Sequence, residues 1–321
     1  MKHQPAVVIA ALLLAAGATQ AQTYPAKPIQ MIIPLAAASA ADVMLRIVAQ
    51  KMADNMGQQI TIENLPGASG LIGGERLARA TPDGYTLGGF SDTVVSTVPL
   101  LYPKAGYDPF TSFVPVGMVA GITVTMFVHP SVPAKTVKEF IALVKSRPGE
   151  IDYASGGNGS PMHVMMEMFK SATGTALTHI PYKGSTQAVL DIVSGRVPVM
   201  ITSLAAVIEY IRAGKLRSLG VGSRQRSSLV PDVPTLSEAG VPGFVALPWG
   251  AIFAPQNTPA AAVERLNAEI AKALGDSAVR QRLLALALEP AAGTTEQLGA
   301  ETRAAHARMA KLIKEIGLKV D

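Results

Sequence analysis

Apolar residues fall along this chain in two alternating rhythms. Short apolar runs bounded by turn residues read as strands, and longer segments with apolar residues three or four apart read as helices. Residues 29–34 form the first short run, and small residues follow at 35–38. Ser39 then stands as an N-cap, with Asp42 three residues on in the capping-box position. The helical pattern behind it runs to Met56 and stops at Gly57. A strand at 59–63 completes a βαβ unit, which implies a parallel pair and a right-handed crossover. Residues 64–74 are rich in Gly and Pro and lead into a short helix at 75–79. The turn Pro82-Asp83-Gly84 introduces a strand at 86–90 that runs out into Ser91, Asp92 and Thr93. An irregular Pro-rich span at 99–115 precedes a long extended run at 116–128.

A second series repeats the rhythm. Thr136 and Glu139 form another capping box on a helix ending near Arg147. Residues 151–154 read as a strand end, and Ser155-Gly156-Gly157-Asn158-Gly159 as a loop. Ser160 and Pro161 are the N-cap and first position of a helix with Val164, Met165, Met168 and Phe169 on its apolar face. Strands at 178–180, 197–201 and 216–221 alternate with helices at 185–194 and 204–213. A turn-rich segment around a short helix follows at 231–242, then a second extended run at 244–253. The chain closes with helices at 259–274, 277–288 and 295–316, the last polar enough for the surface. This alternation predicts an α/β fold with mostly parallel sheets, whose ligands sit beyond the C-terminal strand ends. The loops at 35–39, 90–93, 155–160 and 202–203 define one site between two lobes if they converge.

The N-terminus stands apart. Lys2 and His3 precede an apolar run at 6–16, and small residues continue to Ala21, the pattern of a secretory signal peptide cleaved after Ala21. That run is too short to cross a bilayer. The chain has no cysteine, which removes disulfides, thiolate chemistry, a lipid-anchor cysteine and Cys-based metal sites. Export without cysteine fits a bacterial periplasm. Setting aside residues 1–21 leaves 300 of 321, one very large domain or two ordinary ones, and loss of Lys2 takes the formal charge from +5 to +4. Basic residues are scattered and aromatics make up only 5%, which argues against nucleic acid as a partner. His129, His179 and His306 lack metal spacing and HExxH is missing, so neither a metal nor a cofactor is expected.

The chemistry concentrates at 155–160. A glycine-rich loop feeding a helix N-terminus offers unpaired N–H groups and a positive dipole end, an outline that suits an anion. GxxxxGK[ST] is absent and the third Gly of GxGxxG is missing, so a carboxylate fits better than a nucleotide. A glycine turn with no ligand explains the same residues equally well. His163, in the first helical turn, either donates to a bound anion or braces the loop. No GxSxG elbow is present, although an exported hydrolase stays open as an alternative, as does a protein-binding module. Trp249, the one Trp of the chain, either lines a cleft or fills the core.

Several short motifs together resemble the Bug-type extracytoplasmic solute receptors, the substrate-binding components of tripartite tricarboxylate transporters. They include Glu63-Asn64 with Pro66-Gly67-Ala68, Pro82-Asp83-Gly84-Tyr85-Thr86, Tyr153-Ala154-Ser155 with Gly157-Asn158-Gly159-Ser160, Pro181-Tyr182-Lys183-Gly184 and Pro231-Asp232-Val233-Pro234-Thr235. The resemblance spans nearly all of the mature chain. It implies a two-lobe periplasmic-binding-protein fold of type II, two mixed, mostly parallel sheets joined by crossings near 121–125 and 244–248. Lobe one would be 22–122 plus 247–321, and lobe two 123–246. It further implies a monomeric receptor, not an enzyme, that binds a small carboxylate, with aromatic and dicarboxylic acids as candidates. Membrane transporter subunits, or an orphan sensing role, would receive it. By the same resemblance the ligand meets Leu35, Ala37, Ala38 and Ser39 in one loop and Ser155, Gly156, Gly157, Asn158, Gly159 and Ser160 in the other. His163, Ser91, Asp92 and Ser203 add contacts, and Asp42 supports the first loop. Relatives usually carry a Pro-Pro-Gly-Gly-type first loop where this chain has Ala36-Ala37-Ala38-Ser39, and often Asp-Asn where it has Thr202-Ser203. Alanine resists positive φ, so binding is expected to survive with altered selectivity.

Overall fold

The computed structural model describes residues 24–317 apart from Ala36 and Ala38, so the signal-peptide segment lies outside the described residues. Strands β1 (Ile29–Ile33), β2 (Ile60–Asn64), β3 (Thr86–Ser91) and β4 (Phe113–Ile122) enter a first sheet in chain order. After β4 the chain passes through Thr123 into a second sheet. That sheet holds β5 (Val124–Val128), β6 (Asp152–Ser155), β7 (Thr178–Pro181), β8 (Val199–Ser203) and β9 (Arg217–Val221). The chain returns through residues 245–248 to the first sheet as β10 (Trp249–Pro255) and, later, β11 (Leu288–Pro290). The strand orders are β11-β4-β10-β3-β1-β2 and β7-β6-β8-β5-β9.

The helices, in chain order, are α1 (Ala40–Met56), α2 (Leu71–Ala78), α3 (Asp92–Ser96), α4 (Val98–Leu101), α5 (Val137–Ser146), α6 (Pro161–Thr173), α7 (Ser185–Val193), α8 (Leu204–Arg212), α9 (Ala260–Gly275), α10 (Ser277–Ala285) and α11 (Thr295–Ile316). Local chemistry explains many of their ends. Ser39, Thr136, Ser160 and Thr294 each accept the N3 amide as N-caps, and Gly57, Gly174 and Gly317 close helices in the left-handed region. Both faces of each sheet are covered. Met31, Met44, Val48 and Ile270 pack one face of the first sheet, while Phe90, Phe113, Trp249 and Phe253 pack the other. In the second sheet Phe140, Tyr153 and Phe169 lie on one side, and Phe127, Ile192 and Met200 on the other.

The architecture is the expected α/β pair of mixed sheets, but several details depart from expectation. The sheets are not mostly parallel: five of the nine strand pairings among the described residues are antiparallel. The crossing strands cause this, because β10 and β5 each run against both of their neighbours. The extended run at 116–128 is two strands in different sheets. They part at Thr123, whose amide donates to Ala287 O at 3.0 Å and whose carbonyl accepts from Leu204 N at 2.9 Å. The run at 244–253 becomes a strand only from Trp249, since Pro248 has no N–H to add to a ladder. Residues 231–242 form turns without the short helix, and the Pro-rich span at 99–115 begins inside α4 and ends inside β4, irregular only between them. The helix expected to reach 288 stops at Ala285, beyond which Leu288–Pro290 pairs with β4. Helix α11 is polar outward yet buries Leu298, Thr302, Ala305 and Leu312.

Candidate functional site

Register places the strand-end loops. In the first sheet β1 and β3 are parallel neighbours, so the residues after Ile33 and after Ser91 leave from one edge. Gly250 pairs with Ser91 and Trp249 with Gly121, which brings both crossings to that edge. In the second sheet Ser203 pairs with Val124 and Ser155 with Pro181, so its strand-end loops lie at the edge where the crossings arrive. The C-terminal edges of the two sheets therefore meet across Thr123 and residues 245–248.

On the first edge, Leu35 is half-buried, Ala37 exposed, and Ser39 caps α1 by accepting the Asp42 amide at 3.3 Å; Ala38 lies outside the described residues. Asp42 is buried and its carboxylate meets Arg46 Nε at 2.9 Å. Asn64 Nδ2 donates to Asp42 Oδ1 at 2.8 Å and to Leu35 O at 3.1 Å, which ties the loop's entry to the α1 cap. A Cβ on Gly70 would lie 2.7 Å from Val94 and 3.6 Å from Pro34, so the loop after β1 and helix α3 are close neighbours. Ser91 precedes α3, and Asp92 opens it.

On the second edge, the glycine loop is held from within. Gly157 N–H donates to Ser155 Oγ and Gly159 N–H to His163 Nδ1, both at 3.1 Å, while Ser160 N–H reaches Gly157 O at 3.1 Å. Three of the amides that the sequence offered to a ligand are thus used by the loop itself. The amides of Gly156, Asn158 and Met162 have no hydrogen bond among the described residues. His163 takes the bracing role: Nδ1 accepts from Gly159, which puts the proton of the neutral ring on Nε2. Beneath it, the ring of His179 stacks on His163 at 3.9 Å and on Tyr153 at 4.9 Å. Tyr153 OH donates to Glu167, which also pairs with Lys170 at 2.7 Å. Burial pushes His163 down from its usual pKa and, with the neighbouring His163 ring, lowers His179 to about 4.

His179 Nε2 lies 2.6 Å from Ser155 Oγ, a nucleophile–base distance, yet Ser155 is fully buried and its oxygen is engaged by Gly157. Ser160 Oγ is an N-cap. Ser203 precedes α8 beside the crossover, and its buried Oγ has no hydrogen-bond partner among the described residues.

A cavity of about 80 Å³ joins the two edges. Asp92 and Thr93, the first turn of α3, wall it from the first sheet, and Gly159 and Pro161 at the tip of α6 wall it from the second. Met165 and Met168 of α6 form its floor with Trp249 and Met309. Trp249 therefore both fills the core, at 5% exposure, and lines the cleft. Burial holds the Asp92 carboxyl up at about 7, with the Thr93 amide and Arg308 pulling down and Glu301 pushing up. Arg308 and Met309 also line the cavity, from a helix whose polar surface pattern gave no sign of a site. Of the ligand residues read from the sequence, Asp92 and Gly159 share this cavity. Leu35, Ala37, Ser39, Ser91, Ser203 and the rest of the glycine loop with its helix start (Ser155, Gly156, Gly157, Asn158, Ser160 and His163) lie on the same edges but do not line it.

Two α/β lobes crossed twice by the chain, with a cleft at their facing strand ends, have the build of a solute-binding receptor. The model of the tripartite tricarboxylate transporter family receptor matches residues 44–318, and the chain belongs to that family. Among curated relatives it is similar to Protein BugT of Bordetella pertussis, 38% identical over 306 residues, covering 95% of this chain and 94% of that one. Among solved structures it resembles R. palustris Rpa4515 with adipate, at TM-score 0.82 and 32% identity, covering 92% of this chain and 99% of that one. MatC (Rpa3494) from Rhodopseudomonas palustris with bound malate has TM-score 0.77 and 30% identity, covering 90% and 100%.

Proposed function

We propose that this chain is a periplasmic receptor that captures a small carboxylate between two lobes and hands it to the membrane subunits of a tripartite tricarboxylate-type transporter. Residues 22–122 with 247–321 form one lobe and 123–246 the other. The observation that carries this reading is the cavity between the facing strand ends, walled by the N-terminus of α6 from one sheet and by Asp92 and Thr93 from the other. Helix tips and free amides favour negative charge, and Gly156, Asn158 and Met162 supply amides without an internal partner among the described residues. The hydroxyl of Ser203 adds a further group in want of a partner. Adipate and malate in two relatives point to the same ligand class. Thr123 and residues 245–248 are the hinge about which the lobes close, and the receptor works as a monomer without metal or cofactor.

Titration calorimetry of the chain from residue 22 onward, against aliphatic, aromatic and amide-bearing acids, tests the reading. We expect at least one acid to bind at about micromolar Kd, roughly −8 kcal/mol. Failure of every acid to bind, with the corresponding amides and alcohols no worse, overturns it.

A further inference from the structure

Resting on that reading, the Asp92 carboxyl stands where an anion is to bind. The cavity that joins the two edges is about 80 Å³, and Asp92 lines it together with Gly159 and Pro161 at the start of α6. A cavity of about 150 Å³ holds benzene, so this one admits a carboxylate and little more. A ligand carboxylate offered to the tip of α6 therefore lies against the carboxyl of Asp92.

No cation stands ready to balance two negative charges there. Helix α11 brings Arg308 and Glu301, which pair with each other at 2.7 Å. His163 on α6 is turned to the Gly159 amide and lies 4.0 Å from Glu167, and burial keeps its ring neutral. Tyr107 donates its hydroxyl to Val94 O of α3 at 2.6 Å, and burial keeps that hydroxyl protonated. Strands β3 and β10 and residues 245–248 contain no titratable side chain. Among the described residues Asp92 itself has no ion pair.

Two carboxylates confined to one small space do not both stay ionised, and the pair keeps a proton between them. Burial already holds Asp92 at about 7, and an arriving anion pushes it further the same way. The two forms of Asp92 do different things. Ionised, it only accepts and repels the ligand; neutral, its O–H donates to a ligand oxygen, and such a bond to a charged oxygen is short and strong.

We infer that the receptor takes up its ligand together with one proton, drawn from solvent and held between the Asp92 carboxyl and the ligand carboxylate. Neutral Asp92 is the form that binds. Capture is therefore tightest in mildly acidic surroundings and weakens as Asp92 ionises.

Calorimetry of adipate, malate and phenylacetate, each in buffers of different ionisation enthalpy, counts the protons taken up. At pH 8 Asp92 is about nine-tenths ionised in the free protein, so an acid that binds should take up about 0.9 proton, against about 0.1 at pH 6. Its affinity should fall at least about ten-fold between pH 6 and pH 8.5. Asp92→Asn keeps the shape and a permanent donor, and in it both the uptake and the pH slope should vanish. Binding at pH 8 without proton uptake, or an affinity level from pH 6 to pH 8.5, would overturn the proton linkage and leave the receptor reading intact. Uptake that persists in Asp92→Asn would overturn the assignment to Asp92, and loss of all binding in that variant at an unchanged melting temperature would overturn the role as neutral donor. Binding by none of the three acids at either pH would instead overturn the receptor reading itself.

Discussion

Replacing Gly157 by Val tests whether the conformation of the glycine loop, rather than its composition, makes the site. Gly157 sits at φ +127°, a region that a β-branched residue avoids, and an added Cβ would lie 3.1 Å from the Tyr182 carbonyl oxygen. Holding Val there costs about 1–3 kcal/mol. The loop is half-exposed, and its bonds to Ser155, His163 and Gly157 O are local, so the free protein relaxes by letting the loop shift. Folding is then largely spared, and the strain falls on binding, which needs the native loop. A central value of about 2 kcal/mol corresponds to about 30-fold weaker affinity, at 1.4 kcal/mol per factor of ten. Gly174→Val is the control. Gly174 has φ +61° at the far end of α6, with no atom within 4 Å of an added Cβ, so its substitution lowers the melting temperature without touching affinity. Calorimetry with the best-binding acid, alongside thermal melts, separates the two effects. Wild-type affinity in Gly157→Val would refute the argument, as would equal losses in both variants.

Two other predictions rest on the braces beneath the loops. His179 is held neutral in the fold at a pKa of about 4, against an ordinary value of 6.5, so the unfolded chain binds the extra proton more readily. Stability is full above about pH 6.5 and is lost as pH falls toward 4; the shift is worth at most about 3.4 kcal/mol, and about 1–2 kcal/mol once the ring's partial exposure is allowed for. Urea unfolding at pH 7.5 and 4.5 should show that loss in the wild type and at least about 1 kcal/mol less of it in His179→Asn; identical pH slopes would refute the assignment. Asn64→Ala leaves buried Asp42 without one of its donors and frees Leu35 O, which should cost about 1–3 kcal/mol in chemical denaturation and weaken ligand binding several-fold. An unchanged midpoint would mean that the first loop is held by other contacts.

Much of the local structure was legible before any coordinates. Ser39, Thr136 and Ser160 cap the helices expected of them, because a cap needs only an oxygen and an amide three residues away. The βαβ rhythm, the glycine stops and the pairing of β1 with β2 follow from periodicity and turn chemistry in the same way. Those features depend on neighbours within a few residues, and the sequence displays such neighbours directly. What no local pattern reveals is where distant segments meet. The run at 116–128 shows no break in its own apolar pattern, and it divides at Thr123, within the crossing that the family resemblance implied, because partners far along the chain claim its two halves for different sheets. The glycine loop reads as a row of free donors, yet His163 and Ser155 turn inward to occupy several of them, over a ring of His179 supplied by the next strand. Arg308 and Met309 sit on a helix that looks like plain surface, and packing of α11 against α3 alone brings them to Asp92. The sequence by itself determined the elements and the pair of loops with the chemistry to hold an anion. Only the tertiary structure decided which amides remain free and which walls the ligand meets, because long-range packing, not residue spacing, assembles the cleft.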